Sequence, residues 1–392
     1  MPGKRTEKCL QYLEDLQASH PSLATTIQHF ADFYQRKLWH QLTVAIEDSL
    51  QLPDFRTPDV LIPFYNDFVS SFGHKLNPLR LAHIAVSAAE QYKGPQDAVT
   101  FLEGVIKDLT EAKLQRSEQP LLFLRMHVAR YLLVLGQTKE CKAAIEDGKQ
   151  TLDSMGDVDP SVSAIVHYVR SLYFKQQRDF AEFYKSSLLY LAFISIDSLS
   201  DDQKLSLAVD ISLAALLGDK VYSFGELLLH PITKTLEGSP YAWLGEMLSA
   251  FNNGDLHAYD ALCSKYSAQL NAQPALVADE RKLREKITIA CLMELIFTLP
   301  AEDRTIPLKT IAQRTKLSVD GVEFLLMKTL SLHLVEGVID QVDSTVQVSW
   351  VQPRVLTLDQ ASGLKSRLDG WIDKVTATSS ILPDDQLNAI DL

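Results

Sequence analysis

Apolar residues recur with the spacing of an amphipathic helix from the start of the chain to about residue 300. A clear stripe lies in the helix predicted from Asp179 to Leu191, where residues facing one side follow at steps of three and four: Phe180, Phe183, Tyr184, Ser187, Leu188 and Leu191. Short breaks with turn chemistry, such as Asn77-Pro78 and Asn253-Gly254, separate successive stripes. The pattern predicts antiparallel helix pairs stacked as a right-handed, tetratricopeptide-like solenoid over residues 1–273, although the repeat is degenerate.

The pattern changes after Pro274, where a long helix is predicted to end at Leu299-Pro300. A short helix with Leu308, Ile311 and Ala312 inward follows it. A turn at 316–318 leads to a second helix from Val319 to Leu334, which we expect Ser318 to cap and Gly337 to terminate.

Beyond that helix the period of the pattern becomes two. Two short strands are predicted at Val338–Val342 and Val346–Val351, with a turn at 343–345 and with Val346, Val348 and Trp350 on one face. A helix, a turn, a helix and a β-hairpin make a winged helix. We therefore assign residues 274–357 to a winged-helix module with its leading helix, and expect its wing to be open to strand addition by a neighbour.

A last helix is predicted at 358–378, followed by an acidic tail at 379–392 that we expect to be loose. One stripe of this helix is apolar and has no obvious partner in the chain: Leu364, Leu368, Trp371, Ile372 and Val375. Packing back on the winged helix and bundling with other subunits both remain open, and we favour bundling. With Val346, Val348 and Trp350, these five residues are the predicted partner-binding surface.

Composition narrows the class of protein. At 392 residues the chain is too long for one compact core, and its 46% hydrophobic residues are typical of folded proteins. Its four cysteines are far apart and suggest reduced thiols. Neither a signal-peptide pattern nor an apolar run of about 18 residues is found, so we expect a soluble, intracellular protein.

Candidate catalytic chemistry is sparse. The chain has no phosphate-binding loop, dinucleotide fingerprint, nucleophile elbow or zinc-protease motif, so we expect no enzyme activity, cofactor or metal. His257 and Asp260 lie three residues apart, but a metal site needs three or four ligands. Cys291 lies among apolar residues, which favours a packed thiol over a nucleophile.

A winged helix can also belong to a nucleic-acid-binding regulator, which is the alternative function from a different class. The charge of this chain argues against it. The formal net charge is -12, and the second helix of the module carries Asp320, Glu323 and, just beyond it, Glu336 against Lys328 alone. The basic cluster from Arg281 to Lys286 is open to contact with an acidic protein surface, although a solvated face is the simpler interpretation.

Helical repeats that lead into a winged helix resemble the PCI family, named for the proteasome lid, the COP9 signalosome and translation initiation factor three. The stretches that carry the resemblance span most of the chain: KLWHQL at 37–42, FGELLLHP at 224–231, AFNNGDL at 250–256, CLMELIFTLPAEDR at 291–304 and GVIDQVDSTVQVSWVQPRVL at 337–356. The resemblance points to the proteasome lid within this family.

The resemblance implies a non-catalytic lid subunit that supports lid assembly and ubiquitin-dependent protein degradation. It implies winged helices aligned edge to edge, C-terminal helices gathered in a bundle, and a link to the ubiquitin-receptor subunit, for which no residues are carried over. A signalosome or initiation-factor subunit is the alternative within the same architecture. No nucleic acid or membrane is expected as a partner.

Overall fold

The computed structural model describes residues 2–111, 118–299, 304–356 and 358–380. The chain divides into two units, residues 1–200 and 201–392. Both are mainly helical, and the second carries a three-stranded sheet, which confirms the predicted fold class of a helical array with a winged helix. Within the part of the chain that is described, no helix is both long and apolar enough to cross a lipid bilayer.

The first unit contains eleven α-helices within the described residues. Their bounds are α1 Pro2–Ser19, α2 Ala24–Gln35, α3 Trp39–Ser49, α4 Pro58–Pro63, α5 Ser70–Phe72, α6 Pro78–Ala89, α7 Pro95–Glu111, α8 Glu118–Val134, α9 Thr138–Ser154, α10 Pro160–Gln177 and α11 Phe180–Phe193. A π-helical segment, Phe64–Val69, joins α4 to α5. Short 3-10 segments lie at Pro21–Leu23, Gly73–Lys75 and Ile196–Ser198.

Successive helices of this unit pack against one another as pairs. α8 contacts α7, α9 and α10, and α10 in turn contacts α11. Polar N-caps begin several of these helices at the predicted breaks: the side chain of Asn77 accepts from Leu79 N at 2.9 Å, and that of Asp159 accepts from Ser161 N at 2.9 Å. Each cap precedes a proline, whose fixed φ suits the first helical position. Asp179 likewise caps α11, the helix predicted from Asp179 to Leu191.

Aromatic side chains fill the N-terminal part of the first core. Phe30 packs on Phe64 with ring centroids 5.6 Å apart and on Phe55 at 6.2 Å, and Phe68 packs on Phe72 at 4.9 Å. All five rings are buried. Because each helix here offers a wide apolar face, the stack gains its stability from burial between neighbours.

The second unit contains ten α-helices and three strands within the described residues. The helices are α12 Asp201–Leu217, α13 Gly225–Leu229, α14 Ala242–Asn253, α15 Leu256–Lys265, α16 Ser267–Asn271, α17 Pro274–Ala278, α18 Glu280–Thr298, α19 Leu308–Thr315, α20 Val319–Ser331 and α21 Leu358–Ser379. A 3-10 segment spans Pro231–Leu236. The strands are β1 Thr305–Pro307, β2 Val335–Asp340 and β3 Thr345–Val351.

The predicted long helix after Pro274 is in fact two helices. Asp279, with φ −105° and ψ 19°, leaves the helical region between α17 and α18. The turn before α15 is tight for a physical reason: Gly254 has φ +61°, and a Cβ there would lie 2.7 Å from the carbonyl oxygen of Ala290 on α18. Only glycine combines that conformation with so close an approach.

The winged helix forms with two corrections. Ser318 caps α20 as predicted, since its Oγ accepts from Gly321 N at 3.2 Å. However, α20 ends at Ser331 and β2 begins at Val335, so Gly337 lies inside a strand and does not terminate the helix. A third strand, β1, was not predicted; it gives the antiparallel sheet the order β1-β3-β2.

Candidate interaction surfaces

The three wing residues that were predicted to bind a partner lie on opposite faces of the sheet. Val346 and Val348 are only 1% and 4% exposed and belong to the winged-helix core, together with Ile289, Ile311 and Leu326. Trp350 is 39% exposed. The expectation that these three residues share a face for a partner is therefore wrong, because Val346 and Val348 point into the module.

A β-bulge causes this change of side. Glu336 is opposite Trp350, but Gly337 is opposite Val348, which leaves Ser349 as an extra residue in β3. An extra residue moves the side chains of all later residues in the strand to the opposite face of the sheet. Strict alternation after Val348 would bury Trp350, but the bulge exposes Trp350 and buries Val351. Gly337 permits the close approach, since a Cβ at this position would lie 2.4 Å from the carbonyl oxygen of Gln347.

The outer strands of the sheet are the three-residue β1 and the longer β2, whereas β3, whose residues were predicted to bind a partner, lies between them. β3 is central and pairs with β1 on one side and with β2 on the other, so its backbone groups are engaged. β2 is an outer strand of six residues, and Val338 on it is 70% exposed. Strand addition by a neighbour can therefore use β2.

The terminal helix α21 is exposed on all sides. Every side chain from residue 360 to residue 380 is exposed, and the five predicted stripe residues are between 45% and 65% exposed: Leu364, Leu368, Trp371, Ile372 and Val375. The helix does not bury this stripe against any described part of the chain. A contiguous apolar patch of this kind is typical of a protein interface.

Residues 352–355, which follow β3, contact other parts of the second unit. Gln352 N donates to Leu334 O at 2.8 Å, and the Arg354 guanidinium contacts the Glu294 carboxylate and the carbonyl oxygen of Asn252. Val355 lies against Gly225, where an added Cβ would be 2.8 Å from Val355 Cβ. The hydrophobic pattern gave no sign of Arg354, because a lone loop arginine has no periodic partner; its place in the 337–356 resemblance stretch was the available signal.

The candidate catalytic residues are not assembled into a site. Cys291 is buried, and burial raises the pKa of its thiol, which disfavours the reactive thiolate. The Asp260 carboxylate binds Lys316 Nζ at 3.3 Å and Arg284 Nη2 at 3.5 Å, so it serves an ion-pair network. Among the described residues, no group of three or more His, Cys, Asp or Glu side chains could hold a metal ion.

Lys286 on α18 is a buried cation that the sequence pattern did not reveal. Its Nζ donates to the carbonyl oxygens of Ala215, Leu216 and Gly218 at 2.7, 3.1 and 2.9 Å, at the C-terminal end of α12. Burial lowers the pKa of this amine to about 7, against a smaller opposing effect of Asp219. The side chain joins α18 to the end of α12, where free carbonyl groups need donors.

Comparison with known proteins adds the family. A family model described as PSD13 N-terminal repeats matches residues 26–248, and a PCI domain model matches residues 263–350. The "26S proteasome non-ATPase regulatory subunit 13 homolog B" of Arabidopsis thaliana is 52% identical over 94% of this chain and 96% of its own length.

Less similar relatives also carry the names of 26S proteasome regulatory subunits. The "26S proteasome non-ATPase regulatory subunit 13" of Dictyostelium discoideum is 34% identical over 98% of this chain and 99% of its own length. The "26S proteasome regulatory subunit RPN9" of Saccharomyces cerevisiae is 34% identical over 91% of both chains. With a PCI match over the winged helix and relatives covered almost end to end, this chain belongs to the family of the 26S proteasome non-ATPase regulatory subunit 13.

Proposed function

We propose that this chain is a non-catalytic structural subunit of the lid of the 26S proteasome regulatory particle, and that it supports lid assembly and ubiquitin-dependent protein degradation. The observation that carries the proposal is the solvent-exposed apolar stripe of α21, five large apolar side chains that no described part of the chain covers. Fully burying one large apolar side chain gains about 1.5–3 kcal/mol, so five of them favour association strongly. The proposed role requires no cofactor or metal.

The parts of the chain receive separate roles in this proposal. Residues 1–273 form the helical-repeat array, 274–357 the winged-helix half of the PCI module with its leading helices, and 358–378 the assembly helix. The tail at 379–392 was expected to be loose and acidic; apart from residues 379 and 380, it lies outside the described residues. Arg354 binds Glu294 and Asn252 a few residues before the assembly helix, so the chain is anchored to the second unit close to the start of that helix.

The proposed partners are other lid subunits. The α21 stripe would enter a helix bundle with their C-terminal helices, and the outer strand β2 would meet a neighbouring winged helix. A ubiquitin-receptor subunit is a further proposed partner, without assigned residues. We place the protein in the cytoplasm and the nucleus, and propose neither nucleic acid nor a membrane as a partner.

The lower identity and shorter coverage of a relative outside the proteasome support the lid assignment over the initiation-factor alternative. The "Eukaryotic translation initiation factor 3 subunit M" of Aspergillus fumigatus is 26% identical over 48% of this chain and 40% of its own length. That similarity covers half the chain, whereas the relatives named as proteasome subunits match nearly all of it.

The test is affinity purification of the tagged chain from cells, with mass spectrometry of the proteins that co-purify. The variant Leu368→Ser/Trp371→Ser removes the centre of the stripe, and Arg367→Ser/Lys374→Ser changes two exposed polar positions on the same helix. We expect wild type and the polar variant to recover lid subunits, and the stripe variant to lose them.

The thermal unfolding midpoint of the stripe variant should equal that of wild type, because its side chains are exposed. Recovery of signalosome or initiation-factor subunits by wild type would overturn the assignment to the lid. Undiminished recovery by the stripe variant would overturn the role of α21.

A further inference from the structure

A groove of about 410 Å³ in the second unit lies between α15, α18, α19 and α20. We call it the α20 groove. Leu256, Leu317 and Leu325 contribute apolar walls, and Phe324 lies at its edge with 72% of its surface exposed. Met327, three residues further along α20, is 59% exposed, so the two side chains extend the apolar surface along the helix. Large apolar side chains with this exposure indicate a contact surface.

The rim of the α20 groove is basic, although the whole chain is acidic. Four basic side chains line it, against two carboxylates, Asp260 and Glu285, and the formal net charge of the chain is -12. Asp260 is shared by Lys316 and Arg284, and Glu285 pairs with Lys328. The acidic residues Asp320 and Glu323 lie on α20 but do not line the groove.

Arg281 is the basic residue of the groove that has no carboxylate partner among the described residues. It is exposed at the first turn of α18 and makes no ion pair with any described residue. Arg284 shares its single carboxylate with Lys316 and is 63% exposed at the side chain, so it too can accept a second partner. Both donors are guanidinium groups, which bind carboxylates in a bidentate fashion.

We propose that the α20 groove binds an acidic amphipathic helix of another protein. Its apolar residues would lie on Phe324 and Met327, and its carboxylates would face Arg281 and Arg284. An apolar face with oppositely charged flanks is the usual complement of a groove of this type. A surplus of two positive charges is too small for a strong grip on nucleic acid, which depends on the release of many counterions. The groove shares no residues with the α21 stripe or with the β2 edge.

The test uses the full chain and a defined probe, a fluorescent synthetic helix of about 18 residues with leucines at helical spacing and glutamates elsewhere. Binding is measured by fluorescence anisotropy at low and at physiological salt. A peptide with lysine in place of every glutamate and a short DNA duplex serve as competing probes. We expect the glutamate peptide to bind, more weakly at higher salt, and the other two probes to bind at least tenfold more weakly.

Two matched pairs of variants locate the site. Arg281→Glu should weaken binding about tenfold, whereas Lys309→Glu, with the same charge change at an exposed position outside the groove, should change it less than twofold. Phe324→Ser should weaken binding about tenfold, whereas Val134→Ser, at an equally exposed apolar position in the first unit, should leave it unchanged. Circular dichroism verifies that each variant is folded.

Four results would overturn the proposal: no binding of the glutamate peptide, equal binding of the lysine peptide, tighter binding of the duplex, or equal losses within a matched pair. The Leu368→Ser/Trp371→Ser variant should bind the peptide like wild type. Its loss of lid subunits and the loss of peptide binding in Arg281→Glu are therefore separate outcomes, so failure of one proposal leaves the other intact.

Discussion

Arg354 pairs with Glu294 at the point where the chain leaves the winged helix. One guanidinium nitrogen donates to the Glu294 carboxylate on α18, and another donates to the carbonyl oxygen of Asn252 at the end of α14. The same guanidinium lies 5.4 Å from the ring centroid of Phe297. A single side chain thus connects the segment after β3 to two helices of the second unit.

Arg354→Ala should destabilise the second unit by about 1–3 kcal/mol, because it leaves a partly buried carboxylate and a carbonyl oxygen without their donor. Urea unfolding followed by circular dichroism measures the change. Arg367→Ala, at an exposed position of α21, is the control and should change the free energy of unfolding by less than about 0.5 kcal/mol. Equal effects of the two substitutions would contradict the anchoring role of Arg354.

Gly254→Ala should destabilise the protein by about 1–3 kcal/mol or more, because the added Cβ meets the α18 backbone and φ is +61°. The control is Gly245→Ala inside α14, where a Cβ meets no atom within 4 Å. That substitution should stabilise the helix by about 0.5–1 kcal/mol, since alanine has the higher helix propensity. Opposite signs in thermal unfolding support the close approach, and equal signs contradict it.

Lys286 should make stability depend on pH. Its folded-state pKa is lowered to about 7, and that of an unfolded lysine is about 10.4. Between these values the unfolded chain binds more protons than the folded chain, so the free energy of unfolding rises with pH across this window. Below pH 7 the cost of the buried charge is fully present.

The measurement compares wild type with Lys286→Met at pH 7 and pH 9. The stability of wild type relative to the variant should rise by about 2 kcal/mol between these pH values. Lys309→Met, at an exposed lysine, should show no such rise relative to wild type. A flat difference for Lys286→Met would mean that the carbonyl oxygens of Ala215, Leu216 and Gly218 keep the ammonium charged throughout.

Val348→Ala should destabilise the winged helix by about 1.5–3 kcal/mol, because Val348 is part of its core. Val338→Ala, on the exposed face of β2, should cost less than about 0.5 kcal/mol. Thermal unfolding of the two variants therefore separates a core residue of the wing from a surface residue. Equal costs would restore Val348 to the surface on which the sequence pattern placed it.

The elements that could be predicted are those with a local signal. The stripe of α21 repeats at helical spacing over five residues, and Ser318 precedes α20 as a hydroxyl cap, so both helices follow from the sequence. β1 was missed because three residues carry no measurable period. The break at Asp279 was missed because neither glycine nor proline marks it.

Features that depend on tertiary contact could not be predicted from the pattern. The bulge at Ser349 depends on how β2 pairs with β3, and a strict alternation places Trp350 on the wrong side. Lys286 reads as an ordinary charged residue of a basic cluster, and only packing against the end of α12 reveals that it is buried. In the α20 groove, the basic cluster and Phe324 are far apart in sequence and meet only in the fold.

The exposed stripe of α21 has a consequence for the cell. A copy of the chain without its partners displays Trp371 and Ile372 to water, which is the kind of surface that chaperones and protein quality control recognise. Surplus copies should therefore be degraded quickly, and incorporation into the lid should bury the stripe that quality control recognises. The same five side chains would then couple the abundance of the subunit to the supply of its neighbours.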